Sequence, residues 1–154
     1  MADPTIEAAR EIFDESVDHL REAIEGLTPE ALAWRPAGEE TNPITVLAVH
    51  GMHSSRWWLT IARGLPLPDR DRPSEFVAES ASDAELLSFV DAMAAACRAR
   101  LDPAEPFDPS VSRPLPEGEP PVSAAWALLH ALEHFREHVA QAQLTRQLVS
   151  RTKT

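Results

Sequence analysis

The sequence predicts an all-α protein, a four-helix bundle with two long loops. Four stretches of about 20 residues carry apolar side chains at the three-and-four spacing of amphipathic helices. No stretch shows the strict alternation of a half-buried strand. Two proline-containing connections interrupt the helical pattern. Because a chain of 154 residues can bury a full hydrophobic core, we expect residues 1–154 to form a single domain.

The first predicted helix runs from Pro4 to about Glu25. Asp3 is suited to cap it, proline is tolerated in its first turn, and Gly26 ends it. Its apolar stripe consists of Ile6, Ala9, Phe13, Val17, Leu20 and Ile24. His19 lies off this stripe, so we expect it at the surface.

The second long helix is predicted from about Pro43 to Arg63, after a short helical turn that begins at Thr28 and ends at Pro36. His50 lies within its apolar stripe, and His53 lies to one side of that stripe. Two interpretations of His50 remain open. It is either a core histidine that bonds to a backbone carbonyl or a ligand of a bound ion.

The connection from Leu65 to Ala81 predicts an irregular, solvated surface loop, because it combines three prolines with the charged run Asp69–Arg72. A capping box, Ser82–Glu85, then starts a third helix that runs to about Leu101. Cys97 falls in line with the inward residues of this helix. We therefore expect it in the core, and a nucleophilic cysteine is the alternative.

The second long connection, Asp102–Pro121, is rich in proline and shows no helical period. We expect a long loop there that can contain short extended pieces. It lies directly ahead of the last helix, which Ser123 is suited to cap and which runs to about Ser150. Long loops in compact domains often cover functional sites.

The last helix carries His130, His134 and His138, each four residues from the next. Residues at i and i+4 lie on one face of a helix, so the three imidazoles form a ladder. An i, i+4 pair can bind one metal ion, but the outer two rings are about 12 Å apart along the axis. The ion must therefore use either the first or the second pair. A third ligand would come from elsewhere, and His50 and His53 are available.

A structural role is the alternative for each of these histidines. A lone helical histidine is usually exposed or hydrogen-bonded, and an i, i+4 pair also arises by chance. Here apolar residues surround the ladder, so its imidazoles are predicted to be partly buried. A buried imidazole needs a partner for each ring nitrogen, which favours an organising group such as a metal.

Composition argues against several classes of partner. The formal charge of −11, with 25 acidic against 14 basic residues, disfavours nucleic acid and anionic membranes. No apolar run approaches the roughly 18 residues of a membrane span, and the polar N-terminus shows no signal peptide. The one cysteine cannot form an internal disulfide, which suits a cytoplasmic protein.

Three segments together resemble the DinB-like superfamily of bacterial four-helix proteins, which includes thiol-dependent S-transferases and mycothiol-dependent maleylpyruvate isomerase. They are Leu27–Pro36 (LTPEALAWRP), Ile44–Leu59 (ITVLAVH leading into RWWL) and Leu129–Leu148, which contains LHALEHFREHVAQ. They occur in the family's usual order and spacing across nearly the whole chain.

The resemblance implies a divalent-metal site. Members of the family bind the ion with one histidine from helix 2 and an HxxxH pair from helix 4. By position these are His50, His134 and His138. Ala140 replaces the glycine that follows the family's pair, a change that affects no ligand. His130 then becomes a residue of the pocket, one turn before the metal. Some family members have lost the metal.

The function that this resemblance implies is a metal-dependent thiol S-transferase or isomerase. Zn²⁺ or Ni²⁺ at an open three-histidine site would activate a low-molecular-weight thiol of the mycothiol or bacillithiol type toward a small-molecule electrophile. His53 and His130 are the candidates for orienting a ligand or moving a proton. Glu133 and Glu137 are read as solvent-side charges. The alternatives are a non-enzymatic metal-binding or small-molecule-binding dimer and a metal-free structural bundle.

A homodimer is also expected. The last helix carries apolar residues on the ladder side and away from it, and a single bundle was not expected to bury both sides. Those residues are Ala131, Phe135 and Val149 on the ladder side and Leu128, Leu132 and Val139 on the other.

Overall fold

The computed structural model describes residues 1–152, so residues 153 and 154 of the predicted domain lie outside the described part. The helices are α1 (Pro4–Ile24), α2 (Pro29–Leu32), α3 (Ile44–Arg63), α4 (Arg72–Glu75), α5 (Asp83–Arg98) and α6 (Ala124–Arg151). Short 3₁₀ turns span Gly38–Glu40 and Pro116–Gly118. The prediction of an all-α bundle is confirmed: α1, α3, α5 and α6 are the four long helices. That one domain spans the whole chain stays a prediction.

The helix starts follow the predicted capping chemistry. Asp3 accepts hydrogen bonds from the backbone N–H groups of Thr5 and Ile6 at the start of α1. Ser82 and Ser123 cap α5 and α6 through their hydroxyl oxygens in the same way. α5 ends at Arg98, earlier than predicted, because the following residues form tight turns with carbonyls of its last turn.

The contact between α3 and α6 positions the site. At Gly51 the two helices approach so closely that a Cβ atom there would lie 3.3 Å from Cδ2 of Phe135 and 3.6 Å from Cβ of His138. Glycine permits this approach because it has no side chain. Phe135 in turn packs on Phe13 of α1, with ring centroids 5.4 Å apart, deep in the core. The residue before Gly51, His50, is thereby held beside α6.

The connection between α3 and α5 differs from its prediction. It was expected to be a solvated loop, but α4 forms within it and Glu75 is only 2% exposed. The prediction is wrong at this residue because two partners inside the protein hold the carboxylate. Its neighbour Val77 is 76% exposed, so the rest of the connection remains at the surface.

The connection between α5 and α6 contains the short extended pieces that were expected. Strands β1 (Ser112–Arg113) and β2 (Val122–Ser123) pair antiparallel, with Ser112 opposite Ser123. Arg63, near the end of α3, anchors the start of this connection. Its guanidinium donates to four backbone carbonyls, those of Arg100, Asp102, Glu105 and Pro106.

The apolar residues of α6 are better buried than expected. All six residues on which the homodimer prediction depended are at most 8% exposed within a single chain: Leu128, Ala131, Leu132, Phe135, Val139 and Val149. The premise that one bundle leaves one side of α6 uncovered is therefore wrong for these residues. A different set is exposed on the same helix, namely Trp126, Leu129, Leu144 and Leu148.

Cys97 lies in the core, as its position in the apolar stripe predicts. The residue is fully buried, and burial raises the pKa of its thiol to about 12. A thiol with so high a pKa is protonated at neutral pH, which argues against the nucleophile alternative. Within residues 1–152, no helix combines the length and hydropathy that crossing a bilayer requires.

Candidate metal centre

The structure brings together one histidine of α3 and two of α6. The ring centroid of His50 lies 5.3 Å from that of His134 and 5.0 Å from that of His138, and the last two centroids are 4.4 Å apart. One nitrogen from each ring lies within 4.8 Å of the other two, so the group could hold a metal ion. Of the two histidine pairs left open by the sequence, the second is the one that meets His50.

His50 is bound from behind by a buried ion pair. Its Nδ1 lies 2.8 Å from Oε2 of Glu75, and Arg70 donates to both oxygens of that carboxylate at 2.7 and 2.9 Å. Burial alone would raise the pKa of Glu75, but the hydrogen bonds from Arg70 and His50 outweigh it and lower that pKa. Glu75 is therefore ionised at neutral pH. The backbone-carbonyl partner considered for His50 is replaced by a carboxylate.

This arrangement decides which nitrogen of His50 faces the other histidines. Burial lowers the pKa of His50 although the bond to Glu75 opposes the shift, so the ring is neutral at pH 7. An ionised carboxylate only accepts hydrogen bonds, so the Nδ1–H of His50 is the donor. The lone pair then lies on Nε2. The face of the same ring also packs on Phe76, with centroids 4.6 Å apart.

The two histidines of α6 point their Nε2 atoms at each other, 3.2 Å apart. The Nδ1 of His138 lies 2.9 Å from the side-chain oxygen of Gln141, so Nδ1 donates there and Nε2 carries a lone pair. Burial, helped by the neighbouring histidines, lowers the pKa of His134 to about 4. Its Nδ1 is buried and has no hydrogen-bond partner among the described residues.

The donor set fits a divalent ion of the zinc type. The three side chains that meet here are all imidazoles, and the imidazole nitrogen is a preferred ligand of Zn²⁺ and Ni²⁺. Two of the rings donate their other N–H group to an oxygen acceptor, the usual arrangement behind metal-bound histidine.

A half-open cavity of about 460 Å³ adjoins the cluster. His50 and His134 form part of its wall, so a group held by the histidines would be reachable from this side. Arg70 and Arg72 line it from the connection after α3, and the Pro116–Gly118 turn lines it from the connection before α6. Other lining residues are Ser54, Trp57, Trp58, Leu115, Glu119 and His130.

His130 lies in this cavity, where the sequence placed it. Its ring stacks on Trp126 at 4.6 Å with an interplanar angle of 19°, and Trp58 meets it edge-on at 4.7 Å. The ring centroid is 5.6 Å from that of His134, and His130 does not belong to the three-histidine group. Glu133, whose side chain is 79% exposed, lies outside the cavity lining, as does the exposed Glu137.

The second candidate for ligand orientation, His53, occupies a different place. Its ring lies 5.6 Å from that of Phe89 on α5, and burial lowers its pKa. His53 does not line the cavity beside the three histidines. Of the two candidates, the structure therefore brings His130 to this cavity and leaves His53 outside its wall.

No sequence pattern predicts a role for Glu75 or Arg70 at the site. Both lie in a proline-containing, charge-rich connection with no helical period, which predicts exposed side chains. The one local signal is Phe76 directly after Glu75, since a large aromatic residue in such a loop indicates contact with the protein body. Gln141 lies three residues after His138, and no role is predicted for it from the sequence.

Comparison with known proteins agrees with the resemblance noted from the sequence. The model of the DinB superfamily matches residues 5–142. The chain belongs to the DinB superfamily. A conserved protein from Enterococcus faecalis, known from its crystal structure, is similar to this DinB protein with a TM-score of 0.70 and 21% sequence identity. The match covers 93% of this chain and 95% of that one, and at this identity it shows the fold alone. A search of curated proteins finds no significant match.

The low pKa of His134 predicts how stability depends on pH when metal is removed with a chelator. The unfolded chain binds a proton near pH 6.5 and the folded protein only near pH 4, so the free energy of unfolding should fall as pH drops through that window. His134→Asn removes the titrating ring, so its free energy of unfolding should fall less steeply than that of wild type over this pH range. Urea unfolding at a series of pH values measures this. Parallel curves for wild type and His134→Asn would contradict the prediction.

Proposed function

We propose that this DinB-superfamily protein binds a divalent metal, Zn²⁺ or Ni²⁺, through His50, His134 and His138. We further propose that the protein is a thiol transferase that depends on this metal. The observation that carries the proposal is the convergence of three imidazole rings from α3 and α6, with centroids 4.4–5.3 Å apart. Two helices far apart in sequence bring them together. A cluster of partly buried imidazole rings is a costly arrangement unless it serves a ligand.

A metal site with three protein ligands is better suited to a catalytic role than to a structural one. Structural zinc sites are usually closed by four protein ligands, whereas catalytic sites have three and leave a position for water or substrate. Here three histidines are available, and the adjoining cavity supplies access for a small molecule. A divalent ion held by the three histidines would keep its full charge and would lower the pKa of a bound thiol, so that the thiolate would be available near neutral pH.

The protein's own residues would orient the two reactants. The cavity of about 460 Å³ can accommodate a low-molecular-weight thiol of the mycothiol or bacillithiol type beside a small electrophile. His130 is the residue suited to orient a ligand or move a proton, because it lies in the wall one turn from His134. The aromatic rings of Trp58 and Trp126 fix its plane. A cytoplasmic location, where such thiols are kept reduced, belongs to the same proposal.

Metal content tests the ligand assignment. Purified protein should contain about one equivalent of Zn²⁺ or Ni²⁺ by elemental analysis. His50→Ala, His134→Ala and His138→Ala should each lose most of it, because two remaining imidazoles bind weakly. His19→Ala and His53→Ala are matched controls that should keep it. Wild-type content in His50→Ala would refute the assignment, and a metal-free wild type would favour the structural-bundle alternative.

Thiol conjugation tests the activity. Protein should accelerate the attack of mycothiol or bacillithiol on a model electrophile, and a chelator should abolish the acceleration until metal is restored. His130→Ala should reduce turnover while the metal content stays unchanged. If His130 transfers a proton, the reduction should be roughly 10²–10⁴-fold. A protein that binds metal but shows no chelator-sensitive turnover with these thiols would instead be the non-enzymatic binding module.

Self-association is the remaining part of the proposal. Leu144 and Leu148 of α6 are 55% and 36% exposed and lie one turn apart, so the C-terminal half of this helix retains an apolar outer surface. Burying it against a second copy would give a homodimer. Sedimentation velocity at micromolar concentration should show a species of twice 17.0 kDa, and Leu144→Glu should shift it toward the monomer. A wild-type monomer under these conditions would remove the idea.

A further inference from the structure

We infer that Glu75, held by Arg70, is a positioning residue that fixes the ring of His50 with Nδ1 protonated and Nε2 turned toward His134 and His138. The part of this inference that concerns metal affinity rests on the proposed function, and the part that concerns the His50 tautomer does not. It assigns a role at the site to the connection after α3, which the sequence places at the surface.

The geometry begins with a buried charge. The side chain of Glu75 is 2% exposed, and a buried carboxylate is costly unless it is paired and hydrogen-bonded. Arg70 supplies the pair with two N–H groups, Nε to Oε1 at 2.7 Å and Nη2 to Oε2 at 2.9 Å. Oε2 then also accepts from His50 at 2.8 Å. Both oxygens are therefore engaged.

These contacts argue against the simpler idea that Glu75 is itself a metal ligand. The three-histidine group that could hold an ion does not include Glu75. Its contact is with Nδ1, and in a neutral ring that donates from Nδ1 the lone pair is on Nε2. Histidines that bind metals commonly donate their second N–H group to a carboxylate, which fixes the tautomer and makes the ligand nitrogen more basic.

Two neighbouring residues of the connection restrain the His50 ring in different directions. Glu75 holds its Nδ1 edge, and Phe76 packs on its face with centroids 4.6 Å apart. By contrast His138 is held by the neutral amide of Gln141, and the Nδ1 of His134 has no partner among the described residues. Within the described chain, His50 is thus the member of the cluster with an ionised partner.

The rival explanation is that the Arg70–Glu75 pair only anchors the connection after α3 to the rest of the protein. The tautomer of His50 distinguishes this explanation from a positioning role. In uniformly ¹⁵N-labelled, metal-free protein, the ring nitrogens of His50 can be assigned by their loss in His50→Gln. Wild type should carry the proton on Nδ1. Glu75→Gln removes the charge at nearly constant volume and should move a substantial share of the population to the Nε2–H form, which an anchoring role would not do.

Metal affinity provides the second measurement. Glu75→Gln should weaken Zn²⁺ binding, measured by competition with a chromophoric chelator, by about 10–100-fold. Arg70→Lys keeps the positive charge but loses the two-pronged contact, so its affinity should fall between wild type and Glu75→Gln. The matched control is Glu79→Gln, the same charge change in the same connection. Glu79 is exposed and lines a different cavity, so this variant should bind Zn²⁺ like wild type.

The outcomes are distinguishable. The inference is overturned if His50 of the wild-type protein carries its proton on Nε2, a result that needs no variant to fold. It is also overturned if a folded Glu75→Gln, checked by circular dichroism, keeps both the wild-type tautomer and the wild-type affinity. A wild-type protein that binds no Zn²⁺ would remove the proposed function, while the tautomer measurement would still decide the positioning role.

Discussion

The close approach of α3 and α6 at Gly51 is the constraint on which the site depends. A Cβ atom at this position would lie 3.3 Å from Cδ2 of Phe135, which is closer than usual, so glycine suits the short distance between the helices here. Phe135 also packs on Phe13, which ties α1 to the same contact. Because His50 directly precedes Gly51, the packing that closes the core also places one imidazole against two others. Fold and site therefore share one geometric cause.

Burial of polar groups then explains the surroundings of the cluster. Imidazoles taken out of water lose hydration, which lowers the pKa values of His50 and His134 and keeps both rings neutral. A neutral imidazole needs an acceptor for its N–H group and a donor, or a metal ion, for its other nitrogen. Glu75 supplies a partner for His50 and Gln141 one for His138, and the nitrogens that face the common centre are left for one another or for an ion. The polar chemistry of the site follows from this requirement for hydrogen-bond partners.

Much of this could be predicted from the sequence, and the failures have physical reasons. Helical periodicity located the long helices, because the apolar stripe that defines a helix in sequence is the stripe that packs. The same stripe contained His50, a polar ring in an apolar row, and so indicated its burial. Glu75 was not predictable this way, since a lone buried carboxylate in a proline-containing connection depends on a partner five residues away and another on α3. The burial of both sides of α6 was missed because the number of neighbours around a helix is a tertiary property.

The three histidines consequently differ in their hydrogen-bond partners, although the sequence motif does not distinguish them. The Nδ1 of His50 contacts an ionised carboxylate, and the Nδ1 of His138 contacts an amide oxygen. The Nδ1 of His134 has no hydrogen-bond partner among the described residues. A carboxylate makes the opposite ring nitrogen more basic than an amide does, so donor strength at the common centre should be greatest on the α3 side. That side also faces the cavity, together with His134 and the ring of His130. The connection after α3 therefore forms part of the cavity wall through Arg70 and Arg72. It also contains Glu75, the ionised partner of His50. Changes in this connection would affect ligand access and donor strength together, which links this charged segment to the chemistry of the core.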